Sequence, residues 1–478
     1  MKNFTDLKKK WNLIKLVLFS FICIGSFGSC MDEGTEIKLP TYSSSDPNKA
    51  VVFSDYTPNE GAIRTRMYIN GENFGTDVSL INVIIGGQKA KVIHSSGTQI
   101  YCMVPARASG GYVEVEIMNA DGSRNAKHTF EVKFNYIYNS MVSTLCGIVD
   151  DEGKSSTEDG TFDKAGFVSP NIMLFDNSKG RRTVFLFEGN NMIRTIDLSG
   201  EVVSTVLKTG VVNWRHVNAM DWSMDKDTMF VNNVTGYQNE PGVYYFLRKE
   251  NFGIPHNCVI EQDINCVFTN PDPTNNGIFM IRGNDASLLR GIFNTETQLW
   301  DAVKIASFGN SGQWYQNAVF HPSGDFVYCI SRNQHCIQRA IYNRDTKSLE
   351  SPTVIAGGFG SAGYKDAPGT DARFSTPIQG CFVKNEDYVK EGRKDIYDFY
   401  VTDNGNHCIR KITPDGIVST FAGRGSTSSD GIVDGYIDGD LRKTARFKNP
   451  VGICYEESTG TFYISDSGNR RIRMISVQ

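Results

Sequence analysis

Four patterns of hydrophobic and polar positions follow one another along the chain. Leu16 to Gly28, LVLFSFICIGSFG, is a continuous apolar run behind Lys2, Lys8, Lys9, Lys10 and Lys15. Such a run is long enough for the core of a secretory signal and short for a bilayer-spanning helix. KLPTYSSSDPNK, from Lys38 to Lys49, is polar without periodicity and predicts a flexible tether. From Ala50 the chain turns to short alternating runs separated by Gly and Asn: RMYINGENFG, INVIIGGQKAKVI, QIYCMVP and GGYVEVEIMNADG. A period of two is that of half-buried strands, so residues 50–134 predict a small antiparallel sandwich.

The fourth pattern, from about Tyr138 to Gln478, is a repeat. YVTDNGNHCIRKITPDGIVSTFAG from Tyr400, YISDSGNRRIRMISVQ from Tyr463 and YCISRNQHCIQRAIYNRD from Tyr328 align, and FLFEGNNMIRTIDLSGEVVSTVL from Phe185 is a degenerate copy. The turn after the first strand falls at Glu188, Ser331, Asp403 and Asp466, with intervals of 143, 72 and 63 residues. The long first interval has room for two more turns, near Asn232 and Arg282, which makes six units. A front part, FVSPNIMLF, FSTPIQGCFV or FKNPVGICY, supplies a strand after its proline. Each unit thus holds four antiparallel strands, A to D, as in a β-propeller blade. The chain ends in a strand C, RIRMISVQ, whereas MVSTLCG (Met141 to Gly147) resembles the strand D sequence IVSTFAG (Ile417 to Gly423). That early strand is therefore predicted to pair with Arg471 to Val477 and close the ring.

Particular motifs carry family resemblances. SFGSC resembles a bacterial lipobox, with Phe27 where an aliphatic residue is usual; the resemblance implies cleavage after residue 29 and lipidation of Cys30, with 30–49 as tether. Asp32 and Glu33 resemble the acidic export tags of surface lipoproteins in Bacteroides-type bacteria, implying an outer-membrane, lipid-anchored protein facing outward. INGENFG, IIGG and the pair Val104 and Pro105 resemble an IPT/TIG domain, an immunoglobulin-like module that usually acts as spacer or contact surface. The repeats resemble NHL repeats, closely in DGDLRKTARFKNP and TDNGNHCIRKI. The expected fold is all-β, an IPT/TIG sandwich followed by a six-bladed NHL-type propeller closed by an N-terminal strand.

Candidate chemistry concentrates on the face carrying the D-to-A loops and the B-to-C turns. Aromatic residues three places before the proline position are Phe167, Phe374, Phe447, Trp214 and Trp314, and the tryptophans read better as wedges between blades than as sugar platforms. Arg215, His216, Tyr315 and Gln316 follow them and are expected to meet solvent, with Tyr364 and Tyr436 on the loops; all eight, Trp214 and Trp314 included, are candidates for ligand binding. His335 and His407 share one turn site, which favours a structural role, as it does for isolated His94 and His128. Asp366, Asp371, Asp434, Asp438 and Asp440 could hold calcium but read better as turn-capping groups, so no cofactor is expected.

Composition narrows the function. Lys and Arg number 49 against 53 Asp and Glu, and without the first 29 residues the balance is 44 to 52. A surface that acidic argues against nucleic acid as partner. No G-x-S-x-G, H-E-x-x-H or zinc-spaced Cys or His pair occurs. The eleven cysteines lack regular spacing and suggest no dense disulfide framework. The whole layout resembles accessory glycan-binding lipoproteins of Bacteroides-type uptake systems, implying a non-catalytic protein that captures a polysaccharide or oligosaccharide beside an outer-membrane transporter. A propeller lyase or lactonase, with a His, Glu or Asp cluster in its channel, is the alternative; a protein-contact module with an apolar patch is the second.

Overall fold

The computed structural model describes residues 42–477 apart from 64, 106–109, 190, 273–276, 297–298, 309–314, 426–430 and 432. Cys30, most of the tether and Trp314 lie outside the described residues. Two compact units are present, one drawn mostly from the chain up to Phe134 and the other from Asn135 onward.

Seven principal strands build the smaller unit: Val52–Thr57, Arg66–Glu72, Ile81–Ile85, Gln88–Ser95, Gln99–Met103, Val113–Met118 and Arg124–Thr129. Their spatial order is first, second, fifth, fourth, third, sixth, seventh. Alternation does the work here: Met67, Ile69, Ile81, Val83, Ile85, Val113, Val115 and Ile117 all point inward and are buried. The NFG motif fastens the segment before the sandwich. Asn73, with a positive φ of 61°, donates to the carbonyls of Asp46 and Lys49 and accepts from the Asp46 amide. A Cβ on Gly75 would lie 2.7 Å from the backbone of Ser43 to Ser45, so only glycine fits that approach. His128 stacks on Phe53 at 5.1 Å as an ordinary sandwich residue.

In the larger unit six sheets are antiparallel, their four main strands in chain order except in the last, which takes its fourth strand from earlier in the chain. Strands A are Pro170–Asp176, Met220–Trp222, Ile264–Thr269, Tyr315–Phe320, Pro377–Lys384 and Pro450–Glu456. Each touches the next and the last touches the first, giving a closed ring around a central channel. The six strands B end at Glu188, Asn232, Arg282, Ser331, Asp403 and Asp466, the turn positions expected from the repeat. In the sixth blade the fourth strand is Ser140–Cys146, paired antiparallel with Arg471–Val477 in the register Val142 to Ile475 and Thr144 to Arg473. The ring is closed as the MVSTLCG repeat predicts.

Between blades the core is aromatic and aliphatic. Phe167, Met173, Val184, Leu186, Cys454, Tyr463 and Ile472 fill the seam between the first and sixth blades, each large apolar side chain contributing about 1.5–3 kcal/mol. The nine described cysteines are free thiols, eight of them buried. Two glutamines tie strands A that are not neighbours in the ring. Gln316 of blade 4 donates to Asn218 Oδ1 in the segment entering blade 2 at 2.6 Å. Gln379 of blade 5 donates to the Met173 carbonyl of blade 1 and accepts from the Met173 and Ile453 amides.

Candidate ligand-binding face

Three blades share one frame on this face. Arg194, Arg410 and Arg473, each on a strand C, are fully buried. Each guanidinium meets the acid that ends strand B, Glu188, Asp403 or Asp466, at 2.8–2.9 Å. Each also meets a loop acid, Asp159, Asp366 or Asp438, at 2.6–2.9 Å. The aromatic before the proline, Phe167, Phe374 or Phe447, lies 4.7–5.2 Å from the same guanidinium. The strand acid accepts the backbone amide of the next residue, Val168, Ser375 or Lys448. The loop acid accepts the amide and hydroxyl of a strand D threonine, Thr205, Thr420 or Thr144. One arginine thus locks strand B, strand C, strand D and the incoming loop together, with charge paired and desolvated.

Several sequence candidates are tied into this frame, Tyr364 and Tyr436 while remaining 38% and 43% exposed. The Tyr364 hydroxyl is 2.9 Å from Thr420 Oγ1, and its ring carries Arg424 at 3.7 Å and Arg410 at 5.1 Å. Tyr436 repeats this with Thr144, Arg471 and Arg473. Asp366 and Asp438 hold buried arginines, and Asp440 caps the amides of Arg442 and Lys443.

Three more candidates are enclosed. Trp214, expected at the surface if it served as a platform, is 4% exposed and wedged edge-on between Phe187 and Tyr244 of two blades. Tyr315 is fully buried, donating to the Phe308 carbonyl at 2.9 Å, with Gln338 Oε1 at 2.8 Å. The reason is register: Tyr315 pairs with Ser331 as Pro377 pairs with Asp403 and Pro450 with Asp466. Blade 4 therefore starts strand A two residues earlier than its Trp-based alignment implies, and Tyr315 and Gln316 enter the sheet. Gln316 is 4% exposed and spent on Asn218.

Arg215 and His216 do stand on the open face, beside a residue the sequence reading missed. Blade 2 replaces the short B-to-C turn by the loop Asn233 to Gly242, held at its base where Asn233 accepts the Arg215 amide and donates to the Pro241 carbonyl. This loop presents Tyr237, 59% exposed, with the Arg215 guanidinium 4.7 Å from its ring centre. Glu240 accepts from Arg215 at 2.9 and 3.3 Å, from Asn213 and from the Thr235 hydroxyl. Those hydrogen bonds, Arg215's foremost, hold the Glu240 carboxyl below its usual range. Desolvation and the nearby Arg332 charge hold His216 below its ordinary value. A neutral imidazole both donates and accepts. An exposed aromatic ring beside a guanidinium that a carboxylate holds in place suits a polyhydroxylated ligand, ring face to sugar C–H groups and polar groups to hydroxyls. Among the described residues no group of three or more His, Cys, Asp or Glu is placed to hold a metal ion.

His335 and His407 clasp neighbouring blades. Both sit at positive φ, 54° and 56°, and accept through Nδ1 from the Thr376 and Asn449 amides at 3.1 Å. Burial lowers both pKa values. The folded protein therefore refuses protons that the unfolded chain takes up below about pH 6.5. This contribution is full above that pH and is lost as pH falls below it. In thermal melts between pH 7.5 and 5.5, the His335→Asn/His407→Asn variant, whose asparagines tolerate the same backbone, is expected to lose less stability on acidification than the wild type.

The comparisons agree with this architecture. Residues 52–136 match the IPT/TIG domain family. A curated relative, NHL repeat-containing protein 2 of Gallus gallus, is 22% identical over 341 residues, 68% of this chain and 41% of that protein, so the chain spans less than half of its length. Among solved structures, an auxiliary nutrient binding protein from Bacteroides thetaiotaomicron is 37% identical with a TM-score of 0.72, covering 91% of this chain and 99% of the other. An auxiliary nutrient binding protein from Bacteroides ovatus is 31% identical with a TM-score of 0.71, over 91% and 100%. A third, from B. thetaiotaomicron and provisionally named a phosphatase, is 30% identical with a TM-score of 0.69, over 91% and 98%. The class is a TIG sandwich joined in one chain to a six-bladed propeller. Within it, this chain belongs to the family of these Bacteroides proteins.

Proposed function

We propose that the protein is a non-catalytic, lipid-anchored protein of the outer-membrane surface that captures a glycan nutrient on the loop-rich face of its propeller and assists its delivery to an outer-membrane transporter. The observation that carries the reading is near-full-length similarity to two proteins named auxiliary nutrient binding proteins. The Tyr237, Arg215 and Glu240 cluster supplies chemistry suited to sugar hydroxyls and ring faces, with the His216 imidazole exposed next to Arg215 in sequence. Cys30 supplies the anchor. The acidic loop aspartates are read as structural, without calcium.

Affinity electrophoresis of the chain from Asp32 onward against a panel of polysaccharides tests this. Retardation by at least one glycan is expected, abolished in a Tyr237→Ala/Arg215→Ala variant of unchanged melting temperature. No retardation across the panel sinks the glycan reading. Because one relative carries a phosphatase name, the same preparation is assayed for phosphate release from p-nitrophenyl phosphate; sustained turnover would replace the non-catalytic reading.

A further inference from the structure

The two exposed tyrosines of the frame carry an outer layer of positive charge. The Arg424 guanidinium lies over the Tyr364 ring at 3.7 Å, and that of Arg471 over the Tyr436 ring at 3.9 Å. Each ring is itself fixed, its hydroxyl against Thr420 or Thr144 and its face against the buried Arg410 or Arg473. A fixed ring orients the arginine over it.

Inner and outer arginines differ in what balances them. Arg410 and Arg473 each meet two acids. Among the described residues Arg424 and Arg471 meet none. Each is partly exposed and donates one hydrogen bond, to the Asn406 carbonyl at 3.3 Å or the Asn469 carbonyl at 3.0 Å. A guanidinium has five N–H donors, so most of each fork is left over.

A second cation accompanies each stack. Beside burial, His407 feels the Asp434 carboxylate raising its pKa and both Arg424 and Lys448 lowering it, so two cations share one acid there. In blade 6 the turn site of His407 is taken by Arg470, which donates to the Gly153 carbonyl and has no acid among the described residues. This excess is local, in a chain with 53 acidic and 49 basic residues. An oriented guanidinium without a carboxylate matches a carboxylate or sulfate through two parallel N–H···O bonds. Two of them on adjacent blades fit a ligand that repeats its negative charge.

We propose, resting on the loop-face glycan site, that the glycan is an acidic polysaccharide whose carboxylate or sulfate groups are bound by Arg424 on blade 5 and Arg471 on blade 6, beside Lys448 and Arg470.

Affinity electrophoresis at pH 7 of the chain from Asp32 onward tests the charge with matched polymers, polygalacturonate against its methyl ester and dextran sulfate against dextran. Within a pair the backbone is shared and the charge is not, and the two pairs separate carboxylate from sulfate. Alginate and chondroitin sulfate extend the charged set. The expected result is retardation by at least one charged polymer and not by its neutral counterpart, weakened at least about tenfold in Arg424→Gln/Arg471→Gln. Lys448→Gln/Arg470→Gln, which leaves both tyrosine stacks in place, is expected to weaken it by a smaller factor, and it decides alone should the arginine variant melt below the wild type. Retardation by neutral polysaccharides that is lost in Tyr237→Ala and kept in Arg424→Gln/Arg471→Gln overturns the acidic ligand and leaves the glycan site standing. Retardation by a charged polymer that neither variant diminishes also overturns it. Retardation by no polysaccharide, charged or neutral, overturns both.

Discussion

The full chain carrying Val142→Asp and Thr144→Pro is expected to lose the cooperative unfolding transition of its propeller. Val142 is 1% exposed and packs with Ala422, Phe447 and Ile475; a carboxylate there is buried without a partner. Thr144 donates its amide to Asp438, and a proline removes that donor inside a strand paired on both sides, where proline is not tolerated. Together these approach the whole stability of a typical domain, about 5–15 kcal/mol. They also release Arg471–Val477 as an open strand edge. Calorimetry should show a lost or strongly lowered transition and size-exclusion chromatography should show self-association. A wild-type melting profile would mean that Ser140–Cys146 does not close the ring.

Replacing Arg473 by methionine is expected to cost about 3–5 kcal/mol, the usual result of removing one partner from a buried ion pair. The loss comes from Asp466 and Asp438, which keep their negative charge with no cation opposite, and from the Ile437 and Arg446 carbonyls that the guanidinium serves. Burial already pushes the Asp466 pKa up to about 6 against the pull of Arg473. Without Arg473 it rises further, so the folded state binds a proton more tightly than the unfolded chain does. The variant's deficit should therefore be smaller at pH 5 than at pH 8. Chemical denaturation at the two pH values checks both size and sign, and the second substitution Asp466→Leu should recover part of the loss. Arg410→Met with Asp403 should behave alike, because blade 5 repeats the frame.

That frame marks how far the sequence could be read. Hydrogen-bonded turns and their flanking strands are local, so Glu188, Asn232, Arg282, Ser331, Asp403 and Asp466 were legible from spacing even in blades whose motifs have decayed. The closing strand was legible because Met141 to Gly147 keeps the sequence of a strand D. The loop acids were legible only as capping groups: nothing local says that Asp366 and Asp438 reach an arginine some 35 to 44 residues away in sequence. The ties that Tyr364 and Tyr436 make to the frame were hidden for the same reason. Tyr315 and Gln316 were misplaced because blade 4 enters its inner strand in a different register, set by pairing with Ser331, which lies outside the Trp-based alignment. Tyr237 had a signal that went unused, the extended B-to-C loop of blade 2, longer than NGNH in blade 5; binding residues favour such insertions on rigid scaffolds.

The proposed glycan site on the loop-rich face of the propeller rests on Tyr237 and Arg215. Titration calorimetry of the soluble chain with the polysaccharide that retards it most in electrophoresis, beside Tyr237→Ala, tests this most directly. Saturable heat is expected for the wild type and, since an aromatic anchor is worth about 2 kcal/mol or more, binding weakened about 30-fold in the variant. Equal affinity in the two proteins would contradict it.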